Sequence, residues 1–131
     1  MTRFVIDTSA VLHLAARGTR PSARHKLLAP TLFRSQVLSA MHEAVHRKTL
    51  SAGLAAQRLA WIGRLPIRLL GDAVLRRRAW ELADRLGWAS TFDAEYLALT
   101  QLQADAFITR DRKLARQVRD IVPIAPIESL L

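Results

Sequence analysis

The sequence predicts an α/β fold: a central, mainly parallel sheet of four or five short strands surrounded by helices. Two observations carry this reading. Short β-rich runs alternate along the chain with longer stretches whose apolar residues recur every three or four positions, the pattern of parallel strands joined by crossover helices. The five Pro and five Gly are scattered singly, so no linker or low-complexity tract divides the 131 residues, and 1–131 reads as one domain.

Arg3 to Asp7 (RFVID) reads as the first strand, and Thr8 and Ser9 are helix-starting residues ahead of Val11, Leu12 and Leu14. Pro30 and Thr31 open a long helical stretch with Val37, Ala40, Met41 and Ala44 on its apolar face and His42, His46 and Arg47 on the other. A further helix runs from Ser51 towards Gly63, and Ile67 to Leu70 is a short strand before a turn at Gly71. Leu75, Ala79, Leu82, Ala83 and Leu86 are spaced for a helix that stops at Gly87, where a left-handed C-terminus is cheapest for glycine. Ser90 and Thr91 start the next helix, which runs to about Leu102. Ala106 to Thr109 (AFIT) is a strand, Asp111 opens a helix to Arg119, and Val122 to Ile124 is a last short strand.

Composition narrows the function. Twenty Lys plus Arg against eleven Asp plus Glu give a formal charge of +9, which concentrates polyanions around the protein and points to nucleic acid. The absence of Cys excludes disulfides and thiolate metal sites. No apolar run approaches the roughly 18 residues of a membrane-spanning helix, so no membrane partner is expected. Met1 to Asp7 has neither the long apolar stretch nor the cleavage site of a signal peptide, and a cytoplasmic location is expected.

Ligands of open α/β sheets bind outside the carboxyl ends of the strands, and three acids fall there: Asp7, Asp93 and Asp111. Taken singly, Asp7 and Asp111 are suited to capping the helices that follow, and Asp93 to closing a Ser90-x-x-Asp93 capping box. Brought to one sheet edge, the three carboxylates repel unless protons or a cation intervene. A hard divalent cation answers that need without His or Cys.

The segments VIDTSA at 5–10, TFDAEYLALT at 91–100 and TRD at 109–111 resemble the motifs of PIN-domain ribonucleases, the VapC toxins of bacterial toxin-antitoxin pairs in particular. The likeness runs in order over nearly the whole chain, from Phe4 to about Pro126. It implies a PIN-like fold and a metal-dependent endoribonuclease that hydrolyses RNA phosphodiester bonds with Mg²⁺ or Mn²⁺. On this resemblance Asp7, Asp93 and Asp111 are the catalytic metal ligands, and Thr8, Ser9 and Thr109 are hydroxyl residues that orient them. It also implies a homodimer and a cognate antitoxin that inserts a segment near the metal. Arg110 and Arg112, which flank Asp111, are candidates for holding RNA phosphates, whereas part of the Arg76, Arg77 and Arg78 trio is read as a solvated helix face.

Gln36 departs from the family's pattern, which has Glu about six residues after the proline that precedes the second long helix. An amide can offer oxygen but no negative charge, so the alternative is a PIN-fold module that binds RNA or a protein without cutting. Glu43, seven residues on, points within about 20° of Gln36 but lies about 10 Å further along the axis. It is therefore read as a salt-bridge partner of Arg47, or as a group acting on an outer water or a second ion, and not as a replacement ligand.

His42-Glu43-Ala44-Val45-His46 matches the zinc-protease pattern HExxH literally. The continuation fails, because Thr49 and Ala52 stand where Gly and His would, and the possible third ligands Asp72 and Glu81 sit in no recognisable context. His13 and His25 join no constellation. Trp61, Trp80 and Trp88 are read as core or dimer-interface residues in preference to base-stacking platforms.

Overall fold

A computed structural model describes residues 1–131. Four parallel strands, β1 (Arg3–Ile6), β2 (Lys26–Pro30), β3 (Ile67–Leu70) and β4 (Ala106–Ile108), stand in the order β3-β2-β1-β4. Six helices surround them: α1 (Thr8–Arg17), α2 (Phe33–His46), α3 (Ala52–Gly63), α4 (Ala73–Leu86), α5 (Phe92–Gln103) and α6 (Arg112–Val118). Helices cover both sheet faces, so Phe4, Val5 and Ile6 of β1, Leu27, Leu28 and Ala29 of β2 and the whole of β4 are buried, while β3 at the other edge is only partly covered. α5 packs on β1 and β2 and against α4, and it buries a continuous run from Tyr96 to Thr100. No helix is long and apolar enough to cross a membrane.

Local chemistry explains the helix ends. Asp7, Ser51, Asp72 and Asp111 each cap the following helix by accepting a backbone N–H two or three residues into it. Gly87 ends α4 at φ 70°, the left-handed conformation expected there.

Several expectations are corrected. β1 stops at Ile6, and Asp7, not Thr8 or Ser9, caps α1. β2 was not expected: Pro30 is its last residue, paired with Leu70, and α2 begins only at Phe33. A proline that reads as a helix opener serves here as a strand end. The strand expected at Val122 to Ile124 shrinks to one bridge between Ile124 and Phe107. Pro123 lies in its middle and has no N–H to give; its carbonyl accepts from Phe107 at 2.8 Å, and Ala125 closes the ladder at 3.0 Å. Of the three Trp expected in the core or at a dimer interface, Trp61 and Trp88 are partly buried against the core and Trp80 lies outside it, 66% exposed.

Candidate active site

The carboxyl edge of the sheet is where β1 and β4 release their chains, and the site begins with Asp7. Parallel pairing of β1 with β4 sets Ile6 opposite Ile108, so Asp7 and Thr109 leave the sheet side by side. Both carboxylate oxygens of Asp7 are held. Oδ1 accepts from the Ser9 hydroxyl at 2.7 Å and from the Ala10 amide at 3.0 Å, and Oδ2 accepts a short hydrogen bond from the Thr109 hydroxyl. The two hydroxyls are fixed in turn, Ser9 by the Arg110 amide at 2.8 Å and Thr109 by the Asp111 amide at 3.1 Å. Asp7 is thus a helix cap and the hub of a network linking both strand ends; its structural and chemical roles coexist.

Asp93 sits in the first turn of α5. The capping box proposed for it does not form: Ser90 accepts instead from the Phe92 amide at 3.2 Å, and Thr91 caps the helix without a side-chain hydrogen bond. No hydrogen bond ties down the Asp93 carboxylate. Partial desolvation at the cavity wall raises the Asp93 carboxyl above its usual range although the residue keeps exposed surface, and repulsion from Asp7 and Asp111 raises it further. Asp7 is also raised, because its burial outweighs the three donors that favour the anion, and Asp111 adds to the effect. Asp111 thus bears on both Asp7 and Asp93, while its own Oδ1 caps α6 at Leu114.

Asp7 and Asp93 line one cavity of about 330 Å³ together with Thr8, Ser9, Gln36, Ser39, Glu43 and Tyr96. The α2 residues come from one helix face at spacings of three and four. Gln36 presents its amide oxygen to the Tyr96 phenol, which donates at 2.6 Å. Burial pushes that phenol well above its usual range, so it remains a donor. Glu43 reaches the same cavity as Gln36 despite its distance along the axis, with Ser39 between them donating to Glu43 at 2.8 Å. The Glu43–Arg47 pair exists at 3.9 Å between largely exposed side chains, a contact worth little. Ser39 and Tyr96 escaped the sequence reading, yet the i+3 spacing from Gln36 to Ser39 and from Asp93 to Tyr96 contains the signal.

No three of the His, Asp and Glu side chains stand close enough to hold one ion between them. The cavity nonetheless suits a hard cation that keeps most of its waters, since Mg²⁺ is commonly held through one or two carboxylates. Thr8 supports the fit: its hydroxyl orients no carboxylate but lines the cavity, buried beside the Tyr96 phenol with no partner at full hydrogen-bond geometry.

The other candidates separate clearly. His42 and His46 are exposed on α2 and no third ligand joins them. Asp72 caps α4, and Glu81 pairs with Arg78 at 3.2 Å. Arg76 and Arg77 are exposed, as are Arg110 and Arg112 beside Asp111.

Against the known protein families, the PIN domain matches residues 4–119. The chain belongs to the PIN-domain family. PIN domains are in general nucleases, and those nucleases typically use divalent metal ions. The fold agrees with the crystal structure of PAE2754 from Pyrobaculum aerophilum, which covers 98% of this chain and 93% of its own, with a TM-score of 0.72 at 18% identity. No curated protein sequence matches. The carboxylate edge of this PIN domain is therefore the place to look for nuclease chemistry.

Proposed function

We propose that this PIN domain is a Mg²⁺- or Mn²⁺-dependent endoribonuclease and the toxin of a toxin-antitoxin pair. The observation that carries the proposal is the convergence of Asp7 and Asp93 on one cavity, both raised above the usual carboxylate range by burial and neighbouring charge. Such a pair favours a cation or a proton between its members, and a nuclease fold gives the cation a task.

Asp7 and Asp93 would hold the ion at their shared cavity, with Asp111 reaching it through the ion's waters rather than directly. When bound, it supplies positive charge to the scissile phosphate and lowers the pKa of a water for in-line attack. Ser9 and Thr109 keep both Asp7 oxygens fixed, so the carboxylate needs no reorientation during the reaction. Tyr96 keeps Gln36 turned into the cavity. Arg110 and Arg112 hold backbone phosphates on either side of Asp111. The apolar groove of about 380 Å³ between α2 and α3, lined by Phe33, Val37, Leu38, Leu59 and Ile62, offers surface for an antitoxin segment. Exposed Trp80 suits a homodimer contact.

A second reading, binding without cleavage, has one observation in its favour: Gln36 lacks the charge of a carboxylate and gives its oxygen to Tyr96. Purified protein incubated with single-stranded RNA and Mg²⁺ or Mn²⁺ separates the two. Cleavage that EDTA stops supports the nuclease. Retained binding with no cleavage at any metal concentration supports the second reading. In either case RNA affinity falls with salt, by a log-log slope of about −0.7 per phosphate neutralised.

A further inference from the structure

A second cavity of about 490 Å³ adjoins the first and shares Gln36 and Asp93 with it; Trp88, Ser90, Phe92 and Gln117 are among its other walls. Its composition differs from the rest of this basic protein. No Lys or Arg lines it, and its one charged residue is Asp93. A phosphate is therefore unsuited to this space, whereas a neutral, flat, partly polar group is well matched.

The aromatic walls are free to receive one. Phe92 directly precedes Asp93 and is 59% exposed, so its ring borders the cavity and stays open to solvent. Trp88 follows the Gly87 turn and is only partly buried. The two aromatic contacts in the chain are Phe4 with His25 and Tyr96 with Phe107, so neither Phe92 nor Trp88 has an aromatic ring against its face. The amides of Gln36 and Gln117 and the Ser90 hydroxyl supply donors and acceptors around the same space.

We propose that this cavity is a nucleobase subsite: an unpaired base of the RNA, next to the scissile phosphate that the cation at Asp93 would receive, stacks on Phe92 and Trp88 and is read by the Gln36 and Gln117 amides. Single-stranded RNA is recognised in this way, by stacking on aromatic side chains and hydrogen bonding at base edges. The subsite deepens the ribonuclease reading and rests on it. Phe92 and Gln117 are positioning residues for the substrate and take no part in bond cleavage.

The test uses the full chain with Mn²⁺ and a pool of single-stranded RNAs randomised around one cut site. Wild type should prefer particular bases at one position beside the cut. Phe92→Ala should flatten that preference and raise KM about tenfold, with kcat changed less than about threefold, and Phe92→Tyr should restore both. Unfolding is no escape, since Phe92 is mostly outside the core; equal thermal midpoints for Phe92→Ala and wild type confirm it. If wild type cuts RNA while Phe92→Ala keeps its KM and base preference, the subsite is wrong and the nuclease reading stands. If wild type neither binds nor cuts RNA, the nuclease reading fails and the subsite with it.

Discussion

The Tyr96 phenol donates a 2.6 Å hydrogen bond to Oε1 of Gln36, tying the face of α5 that carries Asp93 to the face of α2 that carries Glu43. The contact fixes an uncharged oxygen in a cavity that already holds two raised carboxyls. Gln36→Glu keeps the acceptor for Tyr96 and adds a negative charge. At an effective dielectric near 20, a charge a few Å from a dication is worth on the order of kcal/mol, so Mn²⁺ affinity should rise at least about tenfold. Cleavage should gain most at limiting metal. Isothermal titration of Mn²⁺ into wild type, Gln36→Glu and Glu43→Gln checks this. Unchanged affinity in the first variant with weakened affinity in the second would instead give the fourth position to Glu43.

The raised carboxyls make metal-free stability depend on pH in a defined direction. In the unfolded chain Asp93 loses its proton near 3.8, and in the folded protein it does so at higher pH. Over that interval the folded state binds more protons, so this residue's contribution to stability is complete below the unfolded value and declines as pH rises through the folded one. Asp93→Asn removes the effect. In EDTA the variant should melt above wild type at neutral pH, by up to about 1 kcal/mol after allowance for solvent screening, or at most roughly 5 °C. The difference should vanish near pH 4 and reverse in saturating Mn²⁺. Identical pH profiles for the two proteins would remove the repulsion from the account.

Thr109 performs two tasks with one hydroxyl, donating to Asp7 and accepting from the Asp111 amide. Thr109→Val keeps the shape and removes both. Stability should fall by about 1–3 kcal/mol, because Asp7 and an amide lose their partner. Cleavage should fall about 10- to 100-fold through misorientation of Asp7, mainly in kcat. Thr109→Ser should restore both properties, as measured by thermal denaturation and steady-state kinetics.

The HExxH match makes a sharp contrast. His42 and His46 are exposed, and the Glu43 between them hydrogen-bonds Ser39 and faces the acidic cavity. His42→Ala with His46→Ala should leave RNA cleavage within about twofold of wild type, because side chains on a solvated face contribute little. Loss of cleavage in that pair, accompanied by bound zinc, would reopen the protease alternative.

How much of this could be read beforehand depended on how local each signal was. The Ser51 cap and the Gly87 stop are local signals, so Ala52–Gly63 and the end of Ala73–Leu86 lie close to their expected limits. Lys26–Pro30 was missed because KLLAP is short and ends in proline, and its strand character comes from pairing with β1 and β3, remote in sequence. Val122 to Ile124 erred the other way: β-branched residues suggested a strand that Pro123 limits to a single bridge. Asp7 and Asp93 were legible as acids at a sheet edge, yet their sharing of a cavity depends on how α5 and α2 pack. The same packing brings Tyr96 to Gln36 across 60 positions of sequence. Glu43 shows the limit of helix geometry alone. Its distance along α2 is real, but the cavity extends along that face and reaches it.

In the proposed function Asp93, free of any capping bond, holds the cation on which RNA cleavage depends. The most direct test of this role is the cleavage rate of wild type and Asp93→Asn on one single-stranded RNA at saturating Mn²⁺, with circular dichroism confirming that both are folded. The account predicts EDTA-sensitive cleavage by wild type and a loss of at least about a hundredfold in the variant, the scale expected when a metal ligand is removed. Cleavage by folded Asp93→Asn at the wild-type rate would contradict it.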